Sequence, residues 1–350
     1  MIDLPLTREE MISVIEGRSA ARRVPMVYHA WTSADVFGER KSEAADLLNN
    51  YPMDVQLIGM NLPGNYDAPE ADPEYRWVNY SDPYKGNETI AIDSKVAIPD
   101  WDMLDSILAD FPNPYYNGLF GHNPESDGRY RMLMWGFCLF ERHWSLRGMT
   151  NALMDYYTDP ESVHRLFRAL TDFYLVTIER AAKEIGCDAI CTTDDIGMQT
   201  SSFFSLEIFR EFFKPYYKEL IDKAHSLGMH FWLHTCGNVD LFLPEFIEIG
   251  LDVIHPIQKY TMDERVVAEK YGSDISIWAG FDVQRVIPWG TPEDVRKEVR
   301  FMIDTYFRPE GRLMLTAGNG ITGDCTVESL EALFNESLTY GKIKAASVKK

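Results

Sequence analysis

Eight short apolar runs, rich in β-branched and aromatic residues, punctuate the chain: VPMVYHA (residues 24–30), DVQLIGM (54–60), RYRMLMWG (129–136), CDAICTTDD (187–195), MHFWLHTCG (229–237), LDVIHPIQ (251–258), ISIWAGFD (275–282) and RLMLTAGNG (312–320). Several of the segments between them carry apolar positions at helical spacing. PESVHRLFRALTDFYLVTIERAAKEIG (160–186) and SLEIFREFFKPYYKELIDKAHSLG (205–228) are examples, each closing on glycine as a helix C-terminus does. Strand and helix in alternation imply a parallel sheet. Eight such units in 350 residues predict an α/β chain folded as a closed (β/α)8 TIM barrel, one domain over residues 1–350. An open doubly wound sheet is the alternative, but no GxGxxG follows the first apolar run, which weakens a dinucleotide-binding version.

The stretch from residue 61 to about residue 129 exceeds what a minimal barrel needs. EYRWVNY (74–80) and TIAIDSKVAI (89–98) alternate around the turn-like SDPYKGNE (81–88), which predicts a hairpin. The stretch reads as an insertion between the second and third strands, lying across or beside the barrel mouth.

Charge and composition narrow the function. A net charge of −20, spread over many short acidic clusters, disfavours phosphate-binding surfaces and with them nucleic acid. The first 25 residues carry charges throughout and no stretch approaches a membrane span, so no signal peptide or membrane association is expected and the protein is expected to be cytoplasmic. Five scattered cysteines do not form a disulfide framework and fit a reducing compartment.

The candidate chemistry falls at the C-terminal ends of the predicted strands, where barrel loops carry function. Side chains alternate along a strand, so His234 and Cys236 point to one side while Thr235 points away. Zinc accepts imidazole nitrogen and thiolate sulfur, and a catalytic site takes three protein ligands and leaves a fourth position open. Cys325, after the eighth run and before a helical pattern, is the candidate third ligand, since barrel closure would bring it to the same mouth. Cys138, Cys187 and Cys191 read as core thiols. Asp194 and Asp195 are adjacent and point oppositely on a strand, so at most one of them faces the mouth, and the pattern does not choose between them. That one could protonate a leaving oxygen or hold the open metal position, the competing role being to cap the next helix.

HTCGN, then LPEFIEIGLDVIHPIQ, then AGFDVQRVIPWGTPEDVRKEV resemble the uroporphyrinogen decarboxylase superfamily in order and spacing over most of the chain. The resemblance implies a (β/α)8 barrel. The HxC…C pattern of His234, Cys236 and Cys325 resembles the branch of methylcobamide:coenzyme M methyltransferases and related corrinoid-dependent methyltransferases, in which it implies a zinc site. True decarboxylases carry an arginine-bearing MRQAGR-like motif after the first strand, where this chain has VYHAWTSADVF. A tetracarboxylate porphyrinogen without guanidinium partners would leave buried charges unpaired.

The resemblance implies zinc-dependent methyl transfer between a small methylated substrate and the cobalt of a separate corrinoid protein, since no DxHxxG pattern supplies cobalamin binding in this chain. Two directions stay open, an aryl methyl ether donor (O-demethylation) or a thiol acceptor. His29, Trp31 and Trp135, with Trp77, Tyr80 and Tyr84, offer aromatic surface to stack an aryl ring, against the plainer reading of core and lid packing. Gln258 and Asp282 end the sixth and seventh runs as candidate substrate contacts, and His255 reads equally as a satisfied core residue. Competing functions are a decarboxylase or hydrolase on the same barrel and a metal-free binding protein for an aromatic small molecule.

Overall fold

The computed structural model describes residues 3–87 and 89–348. Seven strands follow in chain order: β1 (Val55–Gly59), β2 (Tyr130–Trp135), β3 (Ala189–Thr193), β4 (His230–His234), β5 (Val253–His255), β6 (Ser276–Phe281) and β7 (Leu313–Ala317). They form one sheet in the order β1 to β7, every neighbouring pair parallel. Alternate side chains converge on a common interior, where Tyr130, Met132, Cys191, Trp232, Trp278 and Met314 are buried together. The intervening residues, among them Leu133, Ile190, Leu233 and Leu315, pack outward in a larger core that includes the helices. Burial on both faces explains why the strands read as nearly unbroken apolar runs. The result is a TIM-barrel-like α/β fold, a curled parallel sheet with helices outside it. Among the described residues no helix is long and apolar enough to cross a membrane.

Seven of the eight expected strands form. VPMVYHA does not, although it lies beside β7: Leu315 N–H donates to Pro25 O and Val27 N–H to Leu315 O, both at 2.9 Å, while Asp54 N–H donates to Met26 O. Two features stop a ladder there. Pro25 has no N–H to give, and Met26 N–H is taken by the Asp54 carboxylate at 2.6 Å. Tyr28–Ala30 then tightens into a 3-10 turn. Asp54 also binds Arg23 through two bonds of 2.6 and 2.7 Å, with both side chains fully buried, so a carboxylate fastens this segment beside β1.

Among the described residues the hairpin expected around residues 81–88 does not form either, Glu88 of its turn lying outside them. Among the described residues between β1 and β2 there is no strand; short 3-10 turns and the helix Leu104–Ala109 make the connection. The alternating segments find other partners. Trp77 and Val78 donate backbone N–H to Gly64 O and Asn65 O, and Ala97 and Ile98 both donate to Leu146 O. Trp77 is buried against Phe111 and Phe173, which uses its alternation for packing rather than for strand pairing.

Candidate metal centre and cavity

β4 ends on His234, and the chain turns at once through Thr235, Cys236 and Gly237. The turn is set by close approach of two backbones. Asn238 N–H donates to Met198 O at 2.7 Å, and a Cβ on Gly237, whose φ is +88°, would collide with Gly197. Only glycine adopts that angle there without a clash. Thr235 points away from the turn and accepts Ile196 N–H. His234 and Cys236 therefore share a side, as strand alternation predicts.

His234 Nε2 lies 3.4 Å from Cys236 Sγ and 3.5 Å from Asp195 Oδ1, and the three ligand atoms all fall within 4.8 Å of one another. Tetrahedral zinc with ordinary bond lengths separates a nitrogen and a sulfur ligand by about 3.6 Å, and a nitrogen and an oxygen ligand by about 3.4 Å. The donor set and its spacing fit zinc. Asp195 is held in place because its Oδ1 accepts Cys236 N–H at 2.7 Å.

A second histidine fixes the first. His234 Nδ1 sits 2.5 Å from His255 Nδ1, and His255 Nε2 sits 3.0 Å from Ala317 O. A carbonyl oxygen only accepts, so His255 carries its proton on Nε2 and accepts through Nδ1. His234 must then carry its proton on Nδ1, which leaves the Nε2 lone pair facing Cys236 and Asp195. Burial lowers the pKa of both rings, and His255 is further lowered by His234. Both are neutral imidazoles, the form that binds metal. Trp31 lies flat on His255 at 5.3 Å and 5°, and tilted over His234 at 4.5 Å.

The thiol of Cys236 behaves oppositely. Burial pushes its pKa up, as do Asp195 and Glu141, with only an Asn319 contact opposing. Without a cation the group stays protonated; a bound metal would hold it as thiolate. Asn319 Nδ2 reaches Cys236 Sγ at 3.7 Å.

The cluster opens on a cavity of about 220 Å³ whose lining includes Asp195, Cys236, Gln258, Lys259, Asp282 and Asn319. Gln258 Oε1 accepts Gly237 N–H at 2.6 Å, which leaves its amide N–H groups free. Asp282 is 2 % exposed and accepts from Tyr260 Oη–H and from the N–H groups of Gln284 and Arg285.

Several expected site residues lie elsewhere. Asp194 is fully buried and accepts the N–H groups of Leu139, Phe140 and Glu141 and the hydroxyl of Tyr217, so it anchors the start of the Phe140–Arg147 helix. These four bonds consume its acceptors, which leaves Asp195 as the carboxylate at the mouth. Cys325 is not part of the cluster. Its thiol donates to Thr326 O at 3.3 Å, at the start of the Val327–Ser347 helix, and burial pushes its pKa up to about 12. Trp135 stacks on Tyr174 at 5.3 Å, in the layer between sheet and helices, so it does not face the mouth. Trp31 spends its ring face on the two histidines rather than on the cavity. His29 has both ring nitrogens buried without partners, and burial brings its pKa down to about 4. Neither His29, Trp31 nor Trp135 lines the cavity, in which Phe281 is the aromatic side chain. Cys138, Cys187 and Cys191 are buried thiols.

Two contributors escaped the sequence reading. Nothing in VIHPIQ distinguishes His255 from a core residue or marks it as the partner of His234. Glu141, in FERHW, is buried and accepts Thr193 Oγ1–H at 2.6 Å; burial and the neighbouring Asp195 and Asp194 raise its pKa. It is a proton-bearing carboxyl beside the cluster, and no local pattern announces it.

Residues 144–340 match the family model described as Uroporphyrinogen decarboxylase (URO-D). A Methylated-thiol--coenzyme M methyltransferase of Methanosarcina mazei is 31 % identical over 143 residues, 41 % of this chain and 36 % of that protein. The Methylcobamide:CoM methyltransferase MtbA of the same organism is 26 % identical over 180 residues, 49 % of each chain. The matched stretch thus spans half or less of the length of these two relatives. A solved methyltransferase structure from Methanosarcina mazei superposes with a TM-score of 0.61 at 13 % identity, over 95 % of this chain and 98 % of that one, a likeness of fold. With the family model covering more than half of its residues, the chain belongs to the uroporphyrinogen decarboxylase (URO-D) family.

Proposed function

We propose that residues 1–350 act as one barrel domain that catalyses zinc-dependent methyl transfer between a small methylated substrate and the cobalt of a separate corrinoid protein. The observation that carries the reading is the cluster of His234, Cys236 and Asp195, with the His234 lone pair oriented toward its neighbours, opening on a small polar cavity. When bound, zinc supplies Lewis acidity to the heteroatom that loses or gains the methyl group. The chain's own residues do the rest. His234 and Cys236 hold the metal and His255 orients His234. Asp195 occupies a third, displaceable position, and Cys325 stands as the ligand that the resemblance to the HxC…C branch supplies. Asn319 favours the Cys236 thiolate, and Glu141 keeps a proton close to Asp195. The segment 61–129, as an insertion following β1, is proposed to border the mouth at which the corrinoid protein docks.

A methyl ether donor, giving O-demethylation, remains the first reading of the direction, but the aryl ring loses its support because the aromatic residues offered for it do not line the cavity. The thiol reading is favoured by the names of the two relatives, one a methylated-thiol and the other a methylcobamide methyltransferase. The test follows the change from cob(I)alamin to methylcobalamin with a panel of methyl ethers and methylthiols. Turnover with ethers supports the ether donor, and turnover with methylthiols alone moves the reading to the thiol branch. Metal-independent loss of carbon dioxide from a carboxylated substrate would replace both.

A further inference from the structure

Among the described lining residues of the cavity Lys259 is the one basic side chain, and its charge is already cancelled. Its Nζ donates to Glu264 Oε2 at 2.6 Å and forms an ion pair with Glu298 Oε1 at 2.5 Å. The three side chains are only 10–16 % exposed, so solvent screens them little. Nζ also lies 4.4 Å from the centre of the Phe301 ring. One ammonium against two carboxylates leaves the group net negative. With zinc bound, the Asp195 carboxylate and the Cys236 thiolate would balance the ion's two charges, so the metal would leave no surplus positive charge in the cavity, and the acceptors of Asp282 are filled by Tyr260, Gln284 and Arg285. The guanidinium of Arg285 is exposed and sits over the Tyr260 ring at 3.9 Å, outside the lining. What the cavity offers a ligand is carboxamide chemistry, from Gln199, Gln258, Gln284 and Asn319.

An anionic ligand here would be stripped of water and given no unpaired cation, while facing carboxylates. A neutral ligand with hydroxyl or amide groups would meet amide donors and acceptors instead. At about 220 Å³ the cavity is below the range of drug-sized pockets, about 300–1,000 Å³, and suits a small molecule.

We infer that the small-molecule partner of this site is a neutral, hydrogen-bonding methyl donor or acceptor, and that Glu264 and Glu298 enforce the choice by cancelling Lys259. The inference rests on the methyl-transfer reading of the site. In the donor direction the bond from the methyl carbon to its heteroatom breaks with the electron pair left on the heteroatom. The new bond to carbon takes its pair from cob(I)alamin, and the released anion takes up a proton.

The experiment uses full-length zinc-loaded protein and pairs matched in length: 2-(methylthio)ethanol against 2-(methylthio)ethanesulfonate, and 2-methoxyethanol against methoxyacetate. Both kcat/KM for methylcobalamin formation and Kd by calorimetry are measured. The neutral member of each pair is expected to be favoured by about tenfold or more. Glu298→Gln and Glu264→Gln, each checked for folding by circular dichroism, should shrink that ratio about fivefold or more through gain on the anionic member. Equal or tighter binding of the anions, a ratio unmoved in both folded variants, or no binding of any neutral member overturns the inference. Absence of turnover with every compound instead refutes methyl transfer, while the dissociation constants still decide the charge preference.

Discussion

Replacing His255 with leucine removes the acceptor of His234 Nδ1–H and the donor to Ala317 O together. Both bonds are fully buried, at 2.5 and 3.0 Å. At about 0.5–1.5 kcal/mol net for each hydrogen bond, His255→Leu should cost about 1–3 kcal/mol of stability. The effect on metal is separate. With nothing to accept from Nδ1, His234 is free to move its proton to Nε2, the atom that must ligate. Loss of such an outer partner costs about 10–100-fold in metal affinity, or about 1.4–2.7 kcal/mol. Glutamine at the same position can accept from His234 and donate to Ala317, so His255→Gln should recover most of the loss. Zinc affinity is read by competition with a chromophoric chelator, and nitrogen-15 shifts of the metal-free protein report which ring nitrogen of His234 is protonated. Leucine affinity within about twofold of the parent, a shift too small for a lost outer partner, would refute the reasoning. So would a metal-free parent in which His234 carries its proton on Nε2.

His234→Ala and Cys236→Ala should each lose most of the zinc, measured by elemental analysis after gel filtration, while Cys191→Ala, which changes a barrel-core thiol, should keep it. Asp195→Ala and Cys325→Ala should divide two arrangements: the greater loss of stoichiometry marks the third ligand. The raised pKa of Glu141 means that the folded state binds a proton which the unfolded chain releases above its ordinary value of 4.5. That stabilisation is complete below the unfolded value and is lost as pH rises toward the raised one. Glu141→Gln should therefore gain stability relative to the parent with rising pH, by up to about 1.4 kcal/mol per pH unit in that window, read from urea midpoints. Asp54→Ala strands the buried Arg23 and should cost about 3–5 kcal/mol by chemical denaturation.

Element type was legible because burial of both sheet faces writes a strand as a short apolar run, and seven of eight such runs are strands. The eighth misled because VPMVYHA has the composition of a strand while Pro25 and the Asp54 carboxylate deny it a ladder. The supposed hairpin failed for a related reason: alternation records one buried face without saying which backbone groups pair. At the site, strand alternation sufficed to put His234 beside Cys236. It could not choose between Asp194 and Asp195, because that depends on the N-terminus of the Phe140–Arg147 helix arriving to claim Asp194. His255 was invisible for the same cause. Its role depends on β4 and β5 lying in register, His234 opposite His255, which is a property of the sheet rather than of either segment.

The most direct test of the account mixes full-length protein, reduced cob(I)alamin and a neutral methylated substrate, and records the spectrum for methylcobalamin, with zinc bound and after removal by a chelator. Methylcobalamin formation should disappear with the zinc, return when zinc is restored, and be lost in His234→Ala and Cys236→Ala. Methylation at an undiminished rate in the metal-free protein, or in either variant, would contradict it.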